Sequence, residues 1–403
     1  MNRQILKSNS AFVAMGDSPA WKTGQETGRL FPLVQNCSFS ITNERQKLKQ
    51  IGSQSYAVND LVRAPNASLD LTYYLNPYCS NEILAGFNAS GSGYAPCLSG
   101  LKNRDQNIYI IIDPEDSKDA FDDFKRDPSS VNFSGMQALT FGNCFLNKYS
   151  VSFELNSVPT VDVGFAASNV RFESITGGRI SIPAINSVSG NNTNSGSLNL
   201  SGLYSSLRSG YIYNDPRLKD EFNAPAALSN SSSFALQNLQ VGGVGLNASA
   251  NPILQSFSLD LDLARTDLYG LGSNYVYSRK LEMPVNGSVS ISCLVSGISQ
   301  GEFQSIITNE SGYSFEVSFC DQDKIVTGFY KIENAKLESV NYSMQVNNTL
   351  NFNASFSFQA NETGGFFMKR SIADQPSWNN ISNIWSSINL RWIDNFSGYT
   401  VDF

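Results

Sequence analysis

The carboxylates are the residues of this chain most able to do chemistry, and they fall in two constellations. Asp113, Glu115, Asp116, Asp119, Asp122 and Asp123 crowd one segment. A calcium loop would need the ligand order and central glycine of an EF-hand, and this spacing has neither; a solvated helix face is the reading it supports. Asp260 and Asp262 stand two apart on the polar side of an alternating strand. Paired acids can serve glycoside hydrolysis when a cleft places a sugar between them, but nothing marks a cleft here. The chain has no histidine, which removes the commonest general base, the imidazole-dependent triads and the commonest zinc ligand. Its six cysteines, Cys37, Cys79, Cys97, Cys144, Cys293 and Cys320, include no CxxC pair, and free buried thiols are expected. There is no P-loop, no GxSxG and no GxGxxG after a strand. The expectation is a non-enzymatic chain with no catalytic residue, no cofactor and no metal.

Composition narrows the remaining classes. Hydrophobic residues make up 41% of the 403 residues and charged residues only 16%. That balance suits an all-β protein with a polar, weakly charged surface, or one that hides surface in an assembly. The net charge of −7 opposes a sequence-reading nucleic-acid binder, which needs a basic face to displace counterions. It does not oppose a surface past which DNA slides, since like charge repels phosphate. The first residues lack the apolar core of a signal peptide and no run reaches transmembrane length. Synthesis in a cytoplasm without membrane insertion is therefore expected.

The chain also repeats itself. Ser38 to Glu82 slides onto Ser258 to Glu302 without a gap, an offset of 220 residues. Arg45 falls on Arg265, Leu48 on Leu268, Gly52 on Gly272, Asn66 on Asn286, and Ile41, Leu69 and Leu71 on Leu261, Val289 and Ile291. The matching apolar alternation carries more weight than the identities. Farther on, Tyr342 to Phe358 echoes Tyr149 to Phe165 at a shorter offset. The first copy should therefore carry about 27 to 29 extra residues within Ala89–Met136.

These patterns divide the chain. Residues 1–30 are polar, are interrupted by Gly16, Pro19 and Gly24, and read as an N-terminal arm. Residues 31–175 read as a first β-domain, with alternation at Cys37, Phe39 and Ile41, at Leu69, Leu71, Tyr73 and Leu75, and around the turn at Val158-Pro159. Asn81–Phe87 has helical spacing, and Asp113-Pro114 caps and opens a helix reaching about Phe124. Residues 176–250, with the Ser/Asn/Gly-rich stretch Ser187–Gly202, read as a connector. Residues 251–365 form the second β-domain and 366–403 a C-terminal extension. There Trp378, Trp385 and Trp392 recur at helical spacing with Ile381, Ile384 and Ile388. This amphipathic helix either docks on its own domain or clasps a neighbouring subunit. The fold class expected is all-β with minor α: two tandem antiparallel β-sandwich or half-barrel domains, each with a flanking helix.

Two groups of residues become candidates for function. Arg45, Gly52, Arg265 and Gly272 recur in both copies, either for the fold itself or because both copies make the same subunit contact. Ser40, Thr42, Asp70, Asp260, Asp262 and Ser290 lie on polar strand faces. Their partners Phe39, Ile41, Leu69, Leu71, Leu259, Leu261, Val289 and Ile291 are expected to build two cores.

The order Val34-Gln35-Asn36-Cys37-Ser38-Phe39-Ser40, then Glu44-Arg45-Gln46, Gly52, Ser68 to Leu75 and Asn81-Glu82-Ile83-Leu84, resembles the tail tube protein of long-tailed bacteriophages. Tyr149 to Val170 resembles the closing strands of the same domain. The resemblance covers residues 30–175 and, more faintly, 250–360. It implies tube-type domains that line a channel, usually six to a ring, so a tandem chain would form a homotrimeric, pseudo-hexameric ring. It implies stacked rings and a virion location, with assembly in the host bacterial cytoplasm. The implied partners are the chain itself and other tail proteins (tape measure, terminator, distal tail), and viral DNA passes through without specific binding. The polar strand residues named above would face the lumen or the outer surface. Two other readings stay open on the residues alone: a receptor-binding or adhesion module with an exposed aromatic groove, and a β-sandwich glycan-cleaving enzyme using Asp260 and Asp262.

Overall fold

Alternating apolar and polar residues make strands, and antiparallel pairing joins them into one sheet system. The structure is a computed structural model. It describes residues 11–370 apart from 18–27, 62–65, 76–79, 90–93, 102–104, 114–132, 185–195, 201–239, 246–252, 271–275, 295–311, 321–325, 344–350 and a few isolated positions. The first strands are β1 (Ala11–Asp17), β2 (Gly28–Phe31), β3 (Val34–Thr42), β4 (Arg45–Lys49), β5 (Tyr56–Leu61) and β6 (Asn66–Tyr74). Helix α1 (Ser80–Ala85) follows, then β7 (Ala95–Pro96), β8 (Gln106–Ile112), β9 (Gln137–Glu154), β10 (Thr160–Ala167), β11 (Asn169–Ser174), β12 (Arg179–Ser181) and β13 (Ser197–Asn199). The remainder are β14 (Gln240–Val241), β15 (Val244–Gly245), β16 (Ile253–Asp262), β17 (Arg265–Tyr269), β18 (Val276–Leu281), β19 (Val285–Leu294), β20 (Tyr313–Cys320), β21 (Val326–Ser343), β22 (Asn351–Ala360) and β23 (Phe366–Arg370). The fold is mostly β and antiparallel, and α1 is the one α-helix among the described residues.

The central sheet runs β3-β6-β10-β9-β16-β19-β22-β21. Two long strands, β9 and β21, each serve two sheets. The first half of β9 pairs with β8 and β11, and its second half with β10 and β16. Likewise the first half of β21 pairs with β20 and β23, and its second half with β22.

The pairing order of the first set of strands thus recurs in the second. The hairpin Arg45↔Leu61 recurs as Arg265↔Leu281, and Leu69, between Phe39 and Phe165, recurs as Val289, between Leu259 and Phe356. Even the irregularities match. Phe165 faces Leu146 and Phe356 faces Leu337, and in each case the long strand bulges at the next residue. Leu146 to Leu337 is an offset of 191, as is Asn143 to Asn334, and both asparagines have positive φ, 49° and 59°. That conformation is uncommon outside glycine, and asparagine tolerates it best. The surplus expected within Ala89–Met136 lies on both sides of β8, because Ile108 corresponds to Phe315 at the intermediate offset of 207.

Burial corrects the expectation of two separate cores. Leu69, Leu71, Leu259, Leu261, Val289 and Ile291 are all buried, but they belong to one continuous cluster that also holds Tyr149 and Tyr330. Pairing of β9 with β16 merges the two cores, and the Tyr149 and Tyr330 hydroxyls hydrogen-bond at 2.6 Å across the join. Phe39 and Ile41 do not join the core and are 49% and 47% exposed. Strands also occur where polar composition predicted an arm and a connector. β1 pairs with β8, and β12 with β13. Ala11–Asp17 has no polar/apolar beat, because Val13, Ala14 and Met15 are all buried and both faces of the strand are covered. Arg45–Lys49 is half of a hairpin with Tyr56–Leu61. Cys37, Cys97 and Cys144 are free thiols, and burial, with help from Asp70, raises the Cys37 thiol to about 11.

Helix α1 brings an acid into this core. Glu82 is fully buried, and its Oε1 accepts the Tyr73 hydroxyl hydrogen bond at 2.9 Å. Burial raises its carboxyl from 4.5 to about 7, against the opposing pull of its backbone and Tyr73 hydrogen bonds. The folded chain therefore holds a proton that the unfolded chain has released. Its contribution to stability is greatest below pH 4.5, falls as pH rises to about 7 and levels off above. Glu82→Gln should remove that fall and gain about 2–3 kcal/mol on the native chain between pH 4.5 and 8. Urea unfolding at the two pH values checks this, and an unchanged pH slope would assign the effect elsewhere.

Candidate functional site

Strand alternation gives the central sheet two chemically opposite faces. Its inner face carries Leu69, Val151, Leu259 and Val289, all buried. The outer face is a lawn of serine, threonine, asparagine and aspartate. The sequence candidates Ser40, Thr42, Asp70, Asp260, Asp262 and Ser290 all lie on it, exposed. Short hydrogen bonds knit neighbouring strands there: Ser40 to Ser68 at 2.8 Å, Thr72 to Asp162 at 2.5 Å and Ser150 to Asp260 at 2.5 Å. One row across the sheet reads Thr72, Asp162, Ser150, Asp260, Ser288, Ser357 and Lys336. Acids outnumber bases on this face, with Asp70, Asp162, Asp260, Asp262, Glu154 and Glu338 against Lys148 and Lys336. Such a surface is well hydrated and repels anions. The strand positions of Asp162, Ser150 and Ser357 were readable in the sequence, but their rank in one row was not, because register between distant strands is a tertiary property.

Asp260 and Asp262 stand two apart on one strand of this open face. Ser150 donates to the first, and Lys148 lies opposite the second in register. Among the described residues they flank no cleft that would hold a sugar between opposed acids.

The recurring arginines sit in unequal surroundings. Arg265 begins the β17–β18 hairpin, which leans over the first set of strands. Its guanidinium donates to the carbonyls of Leu146 (2.8 Å), Leu101 (3.1 Å) and Arg279 (3.1 Å), and lies 5.2 Å from the Phe145 ring centroid. Burial, then the nearby Arg279 charge, lowers it to about 10. Arg279, 2% exposed, bonds Asp267 at 2.9 Å, Ser168 at 2.8 Å and Asn66 at 3.1 Å. The second hairpin is thus riveted to the first set. Arg45, at the equivalent place on the β4–β5 hairpin, is exposed. Gly52, at the turn of that hairpin, has φ of 88° with open space around it, so it supplies backbone freedom for a tight turn. Gly272, the tryptophans Trp378, Trp385 and Trp392, and the helix expected after Pro114 lie outside the described residues.

Arg279 was missed in the sequence because its counterpart in the first copy is Asn59 and no repeat marks it. Arg279→Leu strips Ser168, Asn66 and Asp267 of their shared donor. A cost of about 2–4 kcal/mol is expected, read as a lowered urea midpoint. A change below about 0.5 kcal/mol would show that the rivet carries no weight.

No family model matches the chain, and no curated protein matches it. Among solved structures it is similar to a chain of the anti-feeding prophage (AFP) baseplate, determined by cryo-electron microscopy with 6-fold symmetrisation. The two are 12% identical over 43% of this chain and 99% of that one, with a TM-score of 0.27. A score that low leaves fold and function to be argued from the residues themselves.

Proposed function

We propose that this chain is a structural subunit of a phage-tail-like tube, closing head to tail into rings that stack around a conduit for viral DNA. The observation that carries this reading is the central sheet. One side is packed by a core, the other is open, polar and predominantly acidic, and the two end strands are without a second partner among the described residues. A sheet with free ends must pair them, cover them or close on itself, and closure removes both ends at once.

The repeated pairing order supports two tandem tube-type units, over 31–175 and 251–365. If six units make a ring, three chains suffice, and their sheets join into a barrel of about 24 strands. A barrel that wide leaves an aqueous channel rather than a filled core. Turned toward that channel, Asp70, Asp260 and Asp262 would keep DNA from adhering while serines and asparagines hold water. The chain then works without catalysis, in the virion tail after assembly in the bacterial cytoplasm. Its partners are other copies of itself and the tape measure, terminator and distal tail proteins. Negative-stain microscopy of the purified chain tests the reading. Rings or tubes with a stained central channel are expected, and a chain that stays monomeric at high concentration contradicts it.

A further inference from the structure

The central sheet lacks one pairing at each end, and the two vacancies have the same description. β16 pairs with β19 on one side and with β9 on the other, whereas its counterpart β3 pairs with β6 alone among the described residues. The second half of β9 pairs with both β10 and β16, whereas its counterpart in β21 pairs with β22 alone among the described residues. We propose that the 336–343 half of β21 adds to β3 of a second copy in the register that β9 and β16 use within one chain. This rests on the ring reading above and names the contact that closes the ring.

The internal junction serves as a template. It sets Leu259 opposite Val151, Asp260 opposite Ser150, Leu261 opposite Tyr149 and Asp262 opposite Lys148. Carried over by the two offsets, it sets Phe39 opposite Tyr342, Ser40 opposite Asn341, Ile41 opposite Val340 and Thr42 opposite Ser339. By residue type, apolar falls opposite apolar and polar opposite polar. No part of the template required that match. Slipping by one residue would set Ile41 against Ser339 and Ser40 against Val340.

Exposure points to the same occupant. Leu259 and Leu261, covered at the internal junction, are 0% and 2% exposed, whereas Phe39 and Ile41 at the equivalent positions are 49% and 47% exposed. Apolar residues on a free edge strand call for a partner strand. The arginines agree. Arg265 donates to the Leu146 carbonyl; the equivalent donor is Arg45 and the equivalent acceptor is the carbonyl of Leu337 in the second copy. Every copy offers one β3 and one β21, so the contact is head to tail and closes only as a ring.

The test is disulfide trapping in the full-length chain. Ser40→Cys with Asn341→Cys should cross-link under mild oxidation into a covalent ladder ending at the ring, with the native chain as the background control. A two-residue slip also keeps both faces matched, so Ser40→Cys paired with Ser339→Cys or with Ser343→Cys is the competitor. The predicted pair should exceed both by about ten-fold in yield, given how steeply disulfide formation depends on Cβ separation. Hydrogen exchange on the native chain gives a second reading, in which the amides of 38–42 become as protected on assembly as those of 258–262. Rings of the right mass with slipped cross-links, or with no new protection at 38–42, overturn this junction and leave the ring reading standing. A folded native chain that forms no ring overturns both.

Discussion

Ile41→Lys is expected to leave the chain folded and to abolish assembly. Ile41 is 47% exposed on β3, so in the isolated chain a lysine there can keep its ammonium in water, and stability should move by no more than about 0.5–1 kcal/mol. In the ring the same position lies between Val340 of the neighbour and the core, where a lone ammonium cannot be hydrated. Charged residues on edge strands are the usual block to strand addition. The paired control is Leu261→Lys, the same substitution at the repeat-equivalent position, which is 2% exposed within a single chain. Burying an unpaired charge there should cost at least about 4 kcal/mol and unfold much of the protein. Circular dichroism with urea titration reads stability, and sedimentation reads assembly. Equal effects of the two substitutions on folding would mean that β3 is already covered within one chain, and ring closure at that edge would fail.

Reversing the charge of the open face is expected to turn an inert conduit into one that holds DNA. Changing Asp70, Asp162, Asp260 and Asp262 to lysine moves each chain by two charges per site, on residues that are all exposed. The hydrogen bonds from Thr72 and Ser150 are lost, but at exposed positions this costs little. Assembled rings of this variant should bind a short DNA duplex at low salt, and the native rings should not. Affinity should fall about 10³-fold or more between 50 and 200 mM salt if six or more phosphates are neutralised. Fluorescence anisotropy across salt concentrations measures it. Reversed rings of normal mass with no affinity for the duplex would mean that the face is not turned to a channel DNA can enter.

Much of the fold is legible in the residues, and the reasons the rest is not are specific. Phe257, Leu259 and Leu261, and likewise Leu69 and Leu71, alternate cleanly because one face of each strand meets the core. Alternation identifies a face but not what covers it, so Phe39 and Ile41 read like their buried equivalents although they lie at an edge. The β4–β5 hairpin carries charge on both strands, which leaves no periodic signal. The first half of β9 was hidden because it is covered on both faces and loses the simple polar/apolar beat. The six polar candidates share one surface, a placement that needs the register between strands as well as the alternation along each. The inequality of Arg45 and Arg265 comes from their neighbours across the sheet, which repeat spacing does not encode.

The mass of the assembled particle tests the account most directly. Native mass spectrometry of the purified chain should find a closed species of three copies of the 44.1 kDa subunit, with no dimer surviving at high concentration. A stable species whose copy number is not a multiple of three, or a monomer at every concentration, would contradict closure of two-unit chains into a six-unit ring.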